Sequence, residues 1–461
     1  MNIRSTIFFG AVVGLFYILI LMASGCAQIG MPLGGPRDTI PPVLLNSNPP
    51  NRTTHFKGNK IVLTFDEYVH LDNVQNNLLV APTPKITPNI DYKLKTVTIK
   101  LRDTLEANTT YSIQLGNAIQ DINENNPVPD FTYVFSTGSY IDSLTFSGHM
   151  LLAETGKIDT TLLVFLYQDL SDSAVYKKKP KYIARVNNKG DFKFEHLAQG
   201  TYHVFALKDE SGQKMYNNPT QLFAFADSAI KITENVAPIT LYAYAEEKTF
   251  AKPPPENKAD KTLKYTSSLS SGSQDLLAPL TLDFNRKLKN FDSLKIRLTD
   301  TLFNQMQSAF VSIDTNYKKV IIKNNWQEDS HYLLLIQKDF ATDTAGNELA
   351  KSDTIKFKTK RESEYGSIKI NFKNLKKFEH PVLQFVVSNE VVNSFPITSA
   401  TWTQRLFKPG DYELRILDDT NQNGIWDPGN YHLKKQPEKV YSIPQSVNIR
   451  ADWENERDVV L

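Results

Sequence analysis

Short runs in which apolar and polar residues strictly alternate recur along most of the chain, with turn-forming residues between them. The segment NKIVLTFDEYV places Ile61, Leu63 and Phe65 on one face, and TYSIQLG and FTYVFSTG alternate in the same way. Alternation over about five to eight residues between frequent breakers is typical of half-buried antiparallel strands. No long segment outside the N-terminal leader has a convincing period of 3.6 residues. The sequence therefore predicts an all-β protein.

The second half of the chain repeats the first. IVLTFDEYV aligns with LTLDFNRKL, which pairs Phe65 with Phe284, and DINENNPVPDFTYVFSTG aligns with DTAGNELAKSDTIKFKTK, which pairs Asp121 with Asp343. In the second copy an asparagine, Asn285, replaces the first copy's Asp66. This repetition predicts one structural unit copied with small insertions.

A different unit follows each copy. LAQGTYHVFALKDESG resembles FKPGDYELRILDDTNQNG, which pairs Tyr202 with Tyr412 and Asp209 with Asp419. The order is A–B–A–B, and each unit has about 100 residues, the size of a small β-sandwich. We therefore expect tandem β-sandwiches. The predicted boundaries are 1–25 for a helical leader, 26–40 for a flexible tether, 41–138 for module A1, 139–244 for module B1, 245–262 for a charged, Pro-rich linker, 263–360 for module A2 and 361–461 for module B2.

The leader has the anatomy of a secretory signal. Arg4 precedes an uncharged apolar run at 7–22, and three small residues at 23–25 come directly before Cys26, the only cysteine of the chain. The run is shorter than the roughly 20 residues that span a bilayer comfortably. This pattern resembles a bacterial lipoprotein lipobox, although Ala23 stands where leucine is usual. The resemblance implies lipidation of Cys26 with three acyl chains, which anchor far more firmly than one. A retained membrane helix and a catalytic thiol are the alternatives.

Charge and cysteine content limit the remaining possibilities. The chain has 52 Lys and Arg against 50 Asp and Glu and shows no basic stripe, so nucleic acid is not expected as a partner. With no cysteine beyond Cys26, each module must rely on its apolar core. No acidic residue adjoins Cys26, which favours an outer-membrane anchor facing the periplasm and leaves the cell surface open.

The segment from PPVLLNSNPPNRTTHF through FDEYV and NTTY to DINENNPVPDFTYVFSTG resembles the SbsA-type, S-layer-type family of bacterial Ig-like domains. Module A2 resembles it more loosely. The two B modules, with GDFKFEHLAQGTYHVFALKDESG as their signature, resemble transthyretin-like or carboxypeptidase-regulatory-like sandwiches. These resemblances imply a secreted or lipid-anchored protein without established catalysis, although fold does not fix function.

One turn has the spacing of a calcium loop. In DDTNQNGIWDPGN, Asp419, Asn421, Asn423 and Asp427 occupy positions 1, 3, 5 and 9 of such a loop. The match to the EF-hand pattern fails at position 12, where Asn430 replaces the bidentate glutamate. The alternative is a hairpin whose Asx side chains bond their own backbone. The possible cofactor is therefore Ca²⁺, and no other is expected.

A short pattern, Asp followed by Ser or Thr and then a small apolar residue or Thr, is more frequent than average composition predicts. It resembles the O-glycosylation acceptor of one large phylum of Gram-negative bacteria, and ordinary turn chemistry is the alternative. The candidate acceptors are Thr39, Thr104, Ser143, Thr160, Ser173, Ser228, Ser293, Thr301, Thr344 and Thr354.

Three functions are compatible with these features. The first is a non-catalytic, lipid-anchored outer-membrane scaffold, spacer or binding module whose partner is an envelope protein or a glycan. The second is an accessory subunit of an outer-membrane transport or assembly complex. The third is a carbohydrate-active envelope hydrolase, which would need paired carboxylates that meet only in space. All four modules are accounted for as sandwiches, so we expect no enzyme.

Overall fold

The computed structural model of the chain describes residues 10, 12–17, 37–248 and 262–461. Its described residues form two compact units. One unit contains the residues up to Leu79 together with Pro84–Tyr140, and the other contains Val80–Thr83 and Ile141–Leu461. Residues 10 and 12–17 of the leader are helical. No helix in the described part of the chain is long and apolar enough to cross a membrane.

Module A1 is a set of antiparallel sheets. Its strands are β1 (Leu44–Asn48), β2 (Lys60–Phe65), β3 (Val69–Leu71), β4 (Leu79–Ala81), β5 (Asn89–Lys93), β6 (Thr96–Lys100), β7 (Thr110–Gly116), β8 (Ile119–Asp121) and β9 (Phe131–Ser136). A four-stranded sheet has the order β1-β2-β6-β5, a three-stranded sheet the order β4-β7-β9, and β3 pairs with β8. One helical turn, Val74–Asn77, follows β3. The alternation in β2 buries Ile61, Leu63 and Phe65 completely.

Module B1 is a sandwich of two sheets. Its strands are β10 (Leu144–Leu152), β11 (Leu162–Tyr167), β12 (Tyr182–Arg185), β13 (Asp191–Leu197), β14 (Gly200–Lys208), β15 (Phe223–Phe225), β16 (Ile230–Ile232) and β17 (Ile239–Ala243). One sheet has the order β13-β10-β17, and the other has the order β12-β11-β14-β15 with β16 also on β14. Strands β10 and β17 run parallel. A helical turn, Ala174–Lys177, connects β11 to β12.

The described strands of module A2 follow the sheet orders of A1, with one strand added. They are β18 (Tyr265–Ser267), β19 (Ser273–Gln274), β20 (Leu280–Phe284), β21 (Leu288–Lys289), β22 (Ile296–Thr299), β23 (Phe310–Ile313), β24 (Lys319–Lys323), β25 (His331–Ile336), β26 (Thr342–Asp343) and β27 (Asp353–Thr359). The sheets are β18-β20-β24-β23, β19-β27-β25-β22 and β21-β26. A 3₁₀ turn at Ser293–Lys295 precedes β22.

Module B2 repeats the topology of B1. Its strands are β28 (Gly366–Lys373), β29 (Pro381–Val387), β30 (Glu390–Pro396), β31 (Thr401–Phe407), β32 (Gly410–Asp418), β33 (Lys439–Ser442), β34 (Val447–Ile449) and β35 (Glu454–Val460). The sheets are β31-β28-β35 and β30-β29-β32-β33, with β34 also on β32. Strands β28 and β35 run parallel, as β10 and β17 do. The 3₁₀ turns are Glu362–Glu364 and Leu375–Lys377.

Residues at equivalent positions of the two copies form similar hydrogen bonds. The carboxylate of Asp121 accepts hydrogen bonds from the backbone N–H groups of residues 123–126, and that of Asp343 closes the corresponding turn. The hydroxyl of Tyr202 donates to the carbonyl four residues upstream, as does that of Tyr412. The repeated sequence therefore encodes repeated turns as well as repeated strands.

The exchange of Asp66 for Asn285 preserves one hydrogen bond. Oδ1 of Asp66 accepts from the backbone N–H of Val43 at 2.8 Å, and Oδ1 of Asn285 accepts from that of Lys264 at 2.9 Å. An amide oxygen replaces a carboxylate oxygen here because the position needs an acceptor and not a charge.

The prediction of an all-β chain of tandem β-sandwiches is confirmed. The individual module boundaries stay predictions, as do the tether and the linker, most of which lie outside the described residues. In the structure the strands of A1 end at Ser136 and those of B1 begin at Leu144.

Candidate functional site

A long connection in module B2 is the most distinctive feature beyond the sheets. Residues 419–438, here called the docking loop, join β32 to β33 without a regular strand or helix. The corresponding connection in B1, residues 209–222, is shorter. Long loops without secondary structure in a compact domain are usually functional. The docking loop also contains the predicted calcium ligands.

The structure brings the four predicted ligands into one turn. The buried carboxylate of Asp419 accepts hydrogen bonds from the backbone N–H groups of Asn423, at 3.2 Å, and Gly424, at 2.7 Å. The side-chain amides of Asn421 and Asn423 both donate to Oδ2 of Asp427. Three of the four side chains therefore meet, and the fourth binds the backbone of the same turn.

This hydrogen bonding matches the Asx alternative in its present form. The side-chain oxygen of Asn421 accepts from the backbone N–H of Asn423, and that of Asn423 accepts from the backbone N–H of Ile425. Calcium would require these oxygens to face a common centre. Within the described ranges, no group of three or more His, Cys, Asp or Glu residues is arranged to hold a metal. Calcium binding by the loop stays a prediction.

A buried glutamate closes the base of the docking loop, and sequence reasoning missed it. Glu438 is 4% exposed. Its Oε1 accepts from the backbone N–H and the hydroxyl of Thr420, at 2.9 and 2.8 Å, and its Oε2 accepts from the backbone N–H of Asp427 at 3.0 Å. The loop has no regular strand whose partner could accept hydrogen bonds from its backbone. The Glu438 carboxylate therefore supplies the acceptors for the N–H groups of Thr420 and Asp427.

The tip of the docking loop packs on module B1. Tyr431, 2% exposed, places its ring 5.2 to 5.5 Å from those of Phe205, Phe223 and Phe225, edge to face in each case. Edge-to-face aromatic pairs contribute about 0.5–1.5 kcal/mol each beyond their buried area. Tyr431 therefore anchors B2 to the outer face of a B1 sheet.

Hydrogen bonds orient this aromatic anchor. The backbone N–H of Tyr431 donates to Oε1 of Glu246 at 3.1 Å, and its hydroxyl donates to the carbonyl of Asp172 at 3.2 Å. Lys434 lies over the Tyr431 ring at 3.8 Å and pairs with Oδ1 of Asp172 at 2.6 Å. The amide of Gln436 donates to the carbonyl of Phe225 at 3.0 Å.

Module B1 reaches back onto B2 through the turn after β10. Nζ of Lys157 lies 2.9 Å from Oε2 of Glu413, and the backbone N–H of Val440 donates to the carbonyl of Ala153 at 2.9 Å. Gly156, at φ +65°, sits so close that a Cβ would lie 2.5 Å from the carbonyl oxygen of Val440. Arg415 is 1% exposed, and its guanidinium donates to Oε2 of Glu413 at 3.3 Å. The contact is reciprocal, with each B module contributing one loop.

The electrostatics follow from this docking. The hydrogen bond from Lys157 holds the pKa of Glu413 below its usual range, and the hydrogen bond from Lys434 does the same for the pKa of Asp172. Burial raises the pKa of Tyr176, beside His432, to about 12 and lowers that of His203. The docked contacts thus favour the charged form of the two carboxylates and the neutral form of His203.

Sequence reasoning also missed the aromatic face that receives Tyr431. Its signal was present: VFAL at 204–207 and FAFA at 223–226 are continuously apolar, whereas a strand buried on one face alternates. Continuous apolar runs indicate that a strand is buried on both faces. In an isolated sandwich the outer face of each sheet is exposed to solvent, so these runs indicate that another module covers this one.

The other predicted site residues lie apart from this contact or outside the description. Cys26 lies outside the described residues. Of the ten candidate glycosylation acceptors, eight are exposed, and Ser173 and Ser293 are half-buried. Exposure is required for modification by a transferase but does not demonstrate it, so all ten remain predictions.

Residues 38–137 match the model of the family described as bacterial Ig-like domain. Module A1 carries this domain. The match covers less than a quarter of the chain. No curated protein matches the chain.

Similar solved structures include an α2-macroglobulin fragment from Escherichia coli, the major pilin subunit BcpA of Bacillus cereus and the N-terminal part of the bacterial S-layer protein SbsC. The first is 13% identical with a TM-score of 0.20, covering 40% of this chain and 72% of that one. The pilin is 9% identical with a TM-score of 0.17, covering 68% and 99%. The S-layer protein is 16% identical with a TM-score of 0.16, covering 44% of each chain.

Proposed function

We propose that this chain is a non-catalytic lipoprotein of the Gram-negative cell envelope, anchored to the outer membrane through Cys26, and that it acts as a scaffold, spacer or binding module. The periplasmic face is favoured. Its partner is an envelope protein or a glycan. The observation that supports a scaffold best is the reciprocal docking of B1 and B2, which both lie in the same compact unit.

Docking supports this role because a scaffold must hold its surfaces at fixed distances. Modules joined only by linkers move relative to each other by default. Here an aromatic anchor, an ion pair and backbone hydrogen bonds connect two modules that are not neighbours in sequence. The docking therefore fixes the distance between surfaces on B1 and surfaces on B2.

Three finer assignments belong to the same proposal. Module A1 is of the SbsA type, and the B modules are transthyretin-like. The ten Asp-Ser/Thr positions carry O-glycans, which would solvate the exposed loops. The docking loop binds Ca²⁺ with Asp419, Asn421, Asn423 and Asp427, weakly, because only two of the ligands are carboxylates.

Acylation is tested by labelling with radioactive palmitate in cells that express the wild type or Cys26→Ala. We expect label in the wild type and none in the variant, and equal labelling would refute the anchor.

Calcium binding by the docking loop is tested by calorimetric titration of the full chain. A heat of binding that Asp427→Asn abolishes would support the site, and no heat at millimolar calcium would remove it.

The accessory-subunit alternative differs in its partner. Mild crosslinking in native membranes, followed by purification, separates the two. A stoichiometric outer-membrane transport or assembly protein would favour the accessory subunit, and recovery of the chain by itself would favour the free-standing scaffold.

A further inference from the structure

Module B2 leaves one side of its sandwich open. Strand β30 is the edge of one sheet and β31 is the edge of the other. β30 pairs with β29 along one side, and no strand in the described part of the chain pairs with its other side. Edge strands are usually protected by charges, prolines or a covering segment. β30, with the sequence EVVNSFP, has one charge at its start and one proline at its end.

A cavity lies along this open side. Its volume is about 690 Å³, within the range of ligand-binding clefts. Val392 and Phe395 of β30, Phe407 of β31 and Leu277 of module A2 line it. Val392 is 48% exposed and Leu277 is 50% exposed. An apolar cleft next to a free strand edge offers backbone hydrogen bonds and a side-chain pocket together.

The charges around the cavity define what fits. Asp275 and Asp411 line it, together with one cation, Lys408. The carboxylate of Asp275 accepts from the Tyr365 hydroxyl at 2.8 Å, and that of Asp411 accepts from the Asn448 amide at 2.7 Å. Both donors are neutral, and within the described ranges neither carboxylate forms an ion pair with Lys or Arg. The cleft therefore carries an excess of negative charge.

We propose that the open edge of B2 binds an extended segment of a partner protein as an additional strand beside β30. This inference deepens the proposed role as a binding module and rests on it. The backbone of β30 pairs with the segment, and apolar side chains at alternate positions enter the cavity next to Val392. Asp275 and Asp411 line the same cavity, so lysine or arginine residues must share this face of the segment with the apolar residues, because only every second residue of a strand points to one face. The partner is therefore a strand whose cavity-facing positions carry both apolar and basic residues.

Peptide binding to the full chain tests the proposal by fluorescence anisotropy. The probes are three labelled peptides of about eight residues, a strand of ordinary length. In the first, valine and lysine take turns at every second position and threonine fills the positions between them, so that valine and lysine share one face. The second has glutamate in place of lysine, and the third is the first with a central proline. We expect the lysine peptide to bind at least about tenfold more tightly than the other two. Glutamate side chains would be repelled by the carboxylates of the cavity, and proline removes a ladder hydrogen bond. Equal binding of all three would overturn the proposal.

Matched variants locate the site. Val392→Lys adds a like charge beside the bound peptide and should weaken binding at least about tenfold. Val460→Lys is the control, because Val460 is 69% exposed on β35, an edge of the other sheet. It should leave binding unchanged. Asp275→Asn combined with Asp411→Asn should abolish the preference for lysine over glutamate. Unchanged binding in Val392→Lys would refute the site.

Two further measurements separate the possible failures. Sedimentation equilibrium that shows a dimer, lost in Val392→Lys, would assign the edge to a second copy and overturn a separate partner. Peptide binding by Cys26→Ala should equal that of the wild type, since the anchor takes no part. Binding without palmitate labelling would refute the anchor only, and labelling without binding would refute the edge site only.

Discussion

Nζ of Lys157 lies 2.9 Å from Oε2 of Glu413, although 256 positions separate the two residues along the chain. One belongs to the first copy of the B module and the other to the second. The duplicated modules therefore contact each other directly, with the whole of A2 between them in sequence.

Replacing the aromatic anchor should release the docking loop. In Tyr431→Ala the contacts with Phe205, Phe223 and Phe225 are lost, which costs about 3 kcal/mol by analogy with core aromatic truncations. Hydrogen exchange of the amides at 427–440 should accelerate by two orders of magnitude, while β32 stays protected. Tyr92→Ala, at a half-exposed position on β5 in the other compact unit, is the control. Exchange equal to that of the wild type would contradict the anchoring role.

Alanine substitution at two different glycines can distinguish the effect of a steric clash from that of backbone strain. Gly156 and Gly212 both have positive φ, +65° and +71°, but a Cβ on Gly212 meets no atom within 4 Å. Alanine at either position costs about 1 kcal/mol of conformational strain. Gly156→Ala should in addition displace Val440 and open the docked contact, seen as faster exchange at 427–440. An equal effect of both variants on that segment would show that the close approach does not matter.

Acidification should weaken docking. The folded-state pKa values of Glu413, Asp172 and His203 are all depressed, so each contributes stability above its unfolded pKa and loses it as the pH falls. The loss begins below about 6.5 for His203 and below about 4.5 and 3.8 for Glu413 and Asp172. Exchange at 427–440, corrected for its intrinsic pH dependence, should therefore increase from pH 7 to pH 4 relative to β25 in module A2. A constant ratio would refute the charge contribution.

Removing the carboxylate at the base of the docking loop should loosen that loop internally. Glu438→Ala leaves three donors, from Thr420 and Asp427, without their buried acceptor, at about 1–3 kcal/mol each at most. Glu438→Gln keeps one side-chain oxygen and should cost less. Thermal unfolding and exchange at 420–428 measure the difference. Equal stability of the two variants would show that water replaces the carboxylate.

The sequence predicts what is local in this fold and misses what is not. Alternation in β2 fixed the buried face of Ile61, Leu63 and Phe65, and repetition of Asp121 and Asp343 marked equivalent turns, because both depend on neighbours within a few residues. Docking depends on residues far apart in the chain. Within the loop, the Asx pattern indicated a turn but not its partner Glu438, which lies 11 positions beyond Asp427.

A tandem array can ordinarily gain or lose whole repeats, because each repeat contacts only its neighbours in sequence. The docking loop removes that freedom here. It exists in one copy of the B module and its aromatic receptor face in the other, so the two halves have become complementary and can no longer be interchanged. Deleting either half would leave an uncovered apolar surface, and adding a third would leave a loop with nowhere to dock.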